Sequence, residues 1–304
     1  MCSSPEVVAW LLETSEPSIR YWSLTKLLGR PESGTEVQNA RRAIVNYGPV
    51  AIILSHYGNN GRQGNERSHY TPKHTSTHWQ LLLLSELDTD GTDERIAEAC
   101  QRTIEEVSNE DHDTVWSCFH GNLDGYLHAF GQVQDSRVGL FESELASSGI
   151  RGQLCCPIND DKACTWGAAR ELRGFGRMAS SRRTRTIQDA MSSAIALLPS
   201  RRLGLTSCPG DPPRHRLWDR LTLPLFYQAD VRFIPRTLAD LEYLDTVPNA
   251  SDAPLWLETK GRGNSQWNGS CPHTKRIWTQ LESHRRPSKW TTWQSPYVLA
   301  HAHD

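Results

Sequence analysis

His74 and His78 stand four residues apart in T-P-K-H-T-S-T-H-W-Q-L-L-L-L-S-E-L, residues 71–87. On a helix this spacing turns both rings to one face, which suits a metal pair or an acid–base dyad. Two histidines touching loops at a helix entrance is the plainer alternative. Asp160 and Asp161 form a second pair, in Ile158-Asn159-Asp160-Asp161-Lys162-Ala163 at the start of an expected helix. A buried aspartic acid that keeps its proton can deliver it to an alkene. Adjacent carboxylates at a helix N-terminus are also ordinary caps. Cys118, His120, Cys155, Cys156, Asp161 and Cys164 all fall near expected helix starts and can meet as zinc ligands, or remain buried reduced thiols. We assign no metal ligand from the sequence, and zinc is the only cofactor these residue types suggest.

Aromatic residues form the remaining set. Trp22, Trp79, Phe119, Trp166, Phe226, Tyr227 and Trp290 can line a pocket in which ring faces stabilise positive charge, or simply fill the space between helices. Asp230 follows Phe226 by one turn and carries a charge that needs a partner if it faces inward; Lys289 and Arg232 are the candidates. The expected catalytic set is Asp161, Asp160 and His78. The expected substrate-binding set is His74, Trp79, Phe119, His120, Trp166, Phe226, Tyr227, Asp230, Lys289 and Trp290.

Helices must position these groups. The four leucines at 81–84 put apolar surface around most of the 71–87 helix, as in a buried helix. Its opening, a small or charged residue, then Trp or Phe, then an apolar run, returns at Cys118-Phe119, Cys164-Thr165-Trp166 and Ser288-Lys289-Trp290, with weaker copies at Tyr21-Trp22 and Phe226-Tyr227. Six such starts at intervals of roughly 40 to 65 residues predict a helical repeat. Apolar periodicity and end signals predict helices over 7–14, 17–28, 50–54, 71–87, 93–107, 119–130, 135–147, 163–178, 184–198, 225–244 and 288–302. Residues 247–270 offer neither strand alternation nor a helix, and no hairpin dipeptide separates alternating runs anywhere. The expected fold is all-α, one α/α toroid domain over 1–304 with buried inner and amphipathic outer helices.

With 304 residues the chain can bury a full core, and 33 Lys and Arg against 35 Asp and Glu point to no nucleic-acid partner. The basic segments 173–185 and 201–220 read as solvated faces or loops, with phosphate recognition the alternative. Eight cysteines without regular spacing predict mostly reduced thiols. Neither a signal peptide nor a membrane-spanning run is present, so a cytoplasmic protein is expected. Oligomeric state is not legible.

Pro72-Lys73-His74-Thr75-Ser76-Thr77-His78-Trp79-Gln80-Leu81, Phe226-Tyr227-Gln228-Ala229-Asp230 and Pro287-Ser288-Lys289-Trp290 resemble the prenyltransferase/squalene-cyclase-type α/α toroid family, closest to a single-domain bacterial branch. The resemblance runs from about residue 17 to the C-terminus and departs after Leu244, where 246–254 replace an outer helix. It implies an isoprenoid or other apolar substrate in an aromatic-lined cavity, cyclised or isomerised by proton donation or by enforced shape. A non-catalytic scaffold for a lipid or peptide, and zinc-assisted prenyl transfer, are the alternatives. Class II cyclases in this family carry Asp-x-Asp-Asp-Thr-Ala as the acid motif. Here Asp160, Asp161 and Ala163 match it, while Ile158 and Lys162 depart. The zinc transferases carry Asp and Cys separated by one residue, whereas Asp161 and Cys164 are three apart.

Overall fold

The computed structural model describes residues 4–58, 60–64, 66–110, 115–151, 154–156, 158, 162–200, 218, 220–248, 251–271, 273 and 276–302. Thirteen α-helices dominate them: α1 (Pro5–Leu11), α2 (Pro17–Trp22), α3 (Thr35–Ala43), α4 (Gly48–Ser55), α5 (Thr77–Glu86), α6 (Glu94–Ser108), α7 (Ser117–Ala129), α8 (Ser136–Arg151), α9 (Thr165–Arg177), α10 (Arg185–Ser200), α11 (Phe233–Asp240), α12 (Asp252–Glu258) and α13 (Lys289–His301). A two-residue antiparallel ribbon pairs β1 (Cys155–Cys156) with β2 (Lys162–Ala163). No helix among the described residues is long and apolar enough to cross a membrane.

Burial divides the helices as the residue pattern predicts. Every residue from Thr77 to Ser85 in α5 is buried, as is every residue from Lys289 to Leu299 in α13. By contrast α6 buries only Ile96, Ala99, Cys100, Thr103, Ile104 and Val107, a single stripe at helical spacing. Buried helices touch in the order α5, α7, α9, α11, α13, α2. The Ser18 hydroxyl then donates to the Leu87 carbonyl at 2.6 Å and the Trp22 indole to Asp88 at 3.1 Å, joining α2 back to the end of α5. On the outside α3 packs on α2, α6 on α5, α8 on α7, α10 on α9 and α12 on α13.

The tightest of these contacts is between α7 and α9, and glycine makes it possible. A Cβ on Gly121 would sit 2.5 Å from the backbone of Arg170, and one on Gly174 would sit 2.5 Å from the Gly121 carbonyl oxygen. Tryptophans fill the contact between α2 and α13. The Trp22 ring lies 5.3 Å from Trp290, edge to face, and 5.0 Å from Trp293.

Three predicted boundaries move. The 71–87 helix begins only at Thr77, because His74 holds a left-handed backbone (φ 75°) and Glu66 receives the first helical N–H, from Thr77, at 2.7 Å. The 225–244 helix is confined to α11. Phe226 has φ 53°, and the Asp230 carboxylate accepts the N–H groups of Arg232 and Phe233 at 3.1 and 2.9 Å, which starts the helix there. Residues 247–270, unassigned from sequence, contain α12.

Candidate functional site

The N-terminal turn of α5 collects most of the expected ligand-binding residues. Its approach segment turns back so that the His74 ring stacks on Phe226 at 4.7 Å and meets Trp79 edge to face at 5.4 Å. Trp79 is held by its own indole N–H, which donates to the Tyr70 carbonyl at 2.9 Å. His78 packs against Phe119 at 4.7 Å, and His120 meets Phe119 edge to face at 4.9 Å. Tyr227 lies 6.0 Å from Trp79 and 6.0 Å from Trp166, so the cluster extends to the start of α9. The Asn122 amide donates to the Phe226 carbonyl at 3.3 Å and ties this loop to α7.

Burial governs the electrostatics. His78 is fully enclosed and its pKa is pulled well below the ordinary histidine value by burial, with His69 and His120 adding to the effect. It is therefore a neutral imidazole. Nδ1 lies 3.3 Å from the Tyr126 hydroxyl and Nε2 has no hydrogen-bond partner. Burial likewise lowers His74 to about 3, aided by His273, Lys73 and Arg276, and lowers His273 to about 4, aided by Arg276 and Lys73. The His74 and His273 rings are 4.2 Å apart. A metal pair or acid–base dyad of His74 and His78 on one face of a helix does not form, because only His78 lies within α5.

A cation occupies this aromatic cluster. The exposed Lys73 places its ammonium 4.3 Å from the centre of the Tyr227 ring and 6.0 Å from the centres of both Tyr70 and Trp79. Such contacts contribute about 0.5–1 kcal/mol each where water reaches them and about 2 where it does not.

The other expected residues lie elsewhere. Asp230 is fully buried and its carboxylate caps α11, receives the Thr222 N–H at 3.1 Å and pairs with Arg232 at 3.2 Å. Lys289 reaches Glu13 at 2.8 Å and Ser15 at 2.9 Å. With Trp290 it lines a groove of about 360 Å³ that also holds Trp10, Glu16 and Glu282. Burial raises Glu282 there to about 7 against the opposing effect of the Ser288 hydroxyl. Asp160 and Asp161 lie outside the described residues.

Three of the thiols converge. Cys118, Cys156 and Cys164 influence one another's ionisation, and burial pushes Cys118 up to about 11. Cys164 caps α9, its sulfur accepting the Gly167 N–H at 3.3 Å. Among the described residues no group of three His, Cys, Asp or Glu side chains is arranged to hold a metal ion.

Sequence reading missed several members of this region. Tyr70 and Lys73 precede the His74–Trp79 motif, and an aromatic followed three residues later by a lysine was the available signal. His273 and Tyr126 enter only through tertiary contact. Two buried acids were missed as well: Asp124, whose carboxyl oxygens both lack hydrogen-bond partners, and Glu171. Comparison with protein-family models, with characterised proteins and with solved structures finds no match to this chain. The toroid resemblance stands on the sequence motifs that suggested it.

Proposed function

We propose that this protein is an α/α toroid that receives an isoprenoid or similarly apolar molecule at the aromatic cluster around α5 and promotes its isomerisation or cyclisation through a cationic intermediate. The observation that carries this reading is the set of three rings, Tyr70, Trp79 and Tyr227, already stabilising the Lys73 ammonium. The circuit of helix contacts from α2 through α13 and back to α5 supports the toroid.

The chemistry asks little of the protein. An acid adds a proton to an alkene, the carbocation is held against ring faces, and a base removes a different proton, so no oxidant or reductant is needed. His78 suits the base: neutral, dry, with Nε2 unpartnered and its ring 4.9 Å from Trp79 and 5.7 Å from Tyr70. Asp161, with Asp160 beside it, is the proposed proton donor. Asp161→Asn retains capping capacity and is expected to leave the thermal midpoint within a few degrees while lowering turnover roughly a hundredfold. Unchanged turnover in both the Asp160 and Asp161 variants would remove the acid assignment.

Tryptophan fluorescence tests the cluster directly. Titration with an isoprenoid chain ending in a trimethylammonium group should give a saturable change as the ligand displaces Lys73. Tyr227→Leu should weaken the affinity about tenfold, the scale of one partly desolvated cation–π contact. Wild-type protein that gives no saturable response would overturn the reading.

A specific observation favours the alternative of a scaffold that binds a lipid or peptide without chemistry. The cavity bounded by Leu82, Leu83, Arg170, Phe226 and Arg236 among the buried helices measures about 20 Å³, room for a single water. Binding without any product from a panel of prenyl substrates selects that alternative.

A further inference from the structure

That small cavity is lined by charge. Three of its walls are arginines, Arg170, Arg232 and Arg236, each buried. Arg170 donates from Nε and Nη2 to the Gln228 carbonyl and lays its guanidinium 4.0 Å from the centre of the Phe233 ring. Arg236 lies against both Trp22 and Trp293, 5.4 and 5.1 Å from their ring centres. Its nearest ion-pair partner among the described residues is Asp240, at 3.8 Å. Arg232 is better held, by Asp230, the Thr222 carbonyl and Thr291. Even so, the Nε atoms of Arg232 and Arg236 have no hydrogen-bond partner.

The surrounding charges do not balance. Glu86 is the one carboxylate in the wall; burial opposes its ionisation, but Arg173, Arg177, Arg236 and Arg170 hold it at about 2. Arg173 and Arg177 add two guanidiniums, and Asp88, Asp230 and Asp240 supply three more carboxylates. Among the described residues five guanidiniums thus face four carboxylates, an excess of one positive charge. Arginine does not give up its proton near neutral pH. A buried charge without a counter-charge costs several kcal/mol. Burial depresses Arg170 and Arg236 to about 10, a direction that an added negative charge would reverse.

We propose that this cavity is a binding site for a monatomic anion, chloride in ordinary solution, held by Arg232 and Arg236 with Arg170 opposite. Size decides the class. A space of about 20 Å³ excludes phosphate, sulfate or a carboxylate, and a halide, somewhat larger than a water, enters with a small outward shift of the arginine side chains. Charge decides the occupant, since a water would leave the excess uncompensated and an anion reduces it. The site stands independently of the proposed chemistry at the α5 cluster.

The test uses purified full-length protein. At constant ionic strength, replacing sodium gluconate by sodium chloride should raise the thermal midpoint along a saturable curve, by roughly 2–4 °C at a tenfold to hundredfold excess over the dissociation constant. Arg236→Gln should lose most of that increment while remaining folded by circular dichroism. Because that variant can fail for packing reasons, crystals grown in sodium bromide provide the deciding measurement. An anomalous peak within hydrogen-bond distance of Arg236 is the expected result. Equal midpoints in chloride and gluconate, or a site that holds only water in the presence of bromide, would overturn the proposal.

Discussion

Replacing Gly121 with alanine is expected to destabilise the protein by about 3 kcal/mol or more, at the upper end of what overpacking a tight contact produces. The new methyl group would meet backbone of Arg170 and Glu171 at 2.5–2.6 Å, and backbone cannot rotate aside as a side chain can. Relief requires α7 and α9 to separate, and these two helices carry Phe119, His120, Asn122 and Trp166 to one end of the molecule. The variant should therefore lower the denaturant midpoint and also weaken any ligand at the α5 cluster. Gly131→Ala serves as the control for loss of glycine in a different setting: there φ is 71° and no atom lies within 4 Å of the added carbon, so its cost is backbone strain alone, about 1–2 kcal/mol. Denaturant unfolding of both variants checks the comparison. A Gly121→Ala protein as stable as the wild type would mean that α7 and α9 do not approach this closely.

The second large effect is in the pH dependence of stability. Burial raises the Glu171 carboxyl to about 8, outweighing the neighbouring Ser117 hydroxyl, while the unfolded chain ionises near 4.5. Between those values the folded state holds a proton that the unfolded state has released. The contribution of Glu171 is therefore full below about pH 4.5, declines as the pH rises and is gone above about pH 8. At 1.36 kcal/mol for each pKa unit the decline amounts to roughly 5 kcal/mol. Glu171→Gln keeps the shape and removes the ionisation. Its stability relative to the wild type should rise by a few kcal/mol between pH 5 and pH 8, measured by urea unfolding at both. Asp124 and Glu282 are raised by burial as well and impose slopes of the same sign. His74 and His273, lowered to about 3 and about 4, impose the opposite slope below the ordinary histidine value. The difference between variant and wild type isolates Glu171 from all of these, and an unchanged pH dependence would show that its carboxyl is solvated.

Both predictions concern α7 and α9, whose residue pattern announced the helices and not their partners. Apolar surface around most of α5 predicted its burial, and it is buried, because a helix with little polar face has no stable place at the surface. The single stripe of α6 predicted an outer helix for the converse reason. His74, His78, Trp79, Phe119, His120, Trp166, Phe226 and Tyr227 were legible as a group, since each stands at the start of a buried segment, and ring contacts join them.

What the sequence by itself determined is thus the helical class, the division into buried and half-exposed helices, and the residues gathered where the buried helices begin. These follow from composition and period, which act locally. Tertiary structure decided the rest. Glu66 sets the start of α5 from eleven residues upstream of Thr77, Asp230 ends as a cap with Arg232 instead of facing a ligand, and Lys289 pairs with Glu13 across almost the whole chain. Carboxyls and guanidiniums such as Glu171 and Arg236 look like any surface charge in sequence. Only the packing around them fixes whether they keep a proton, find a partner or need an ion, because that energy depends on burial and on neighbours distant along the chain.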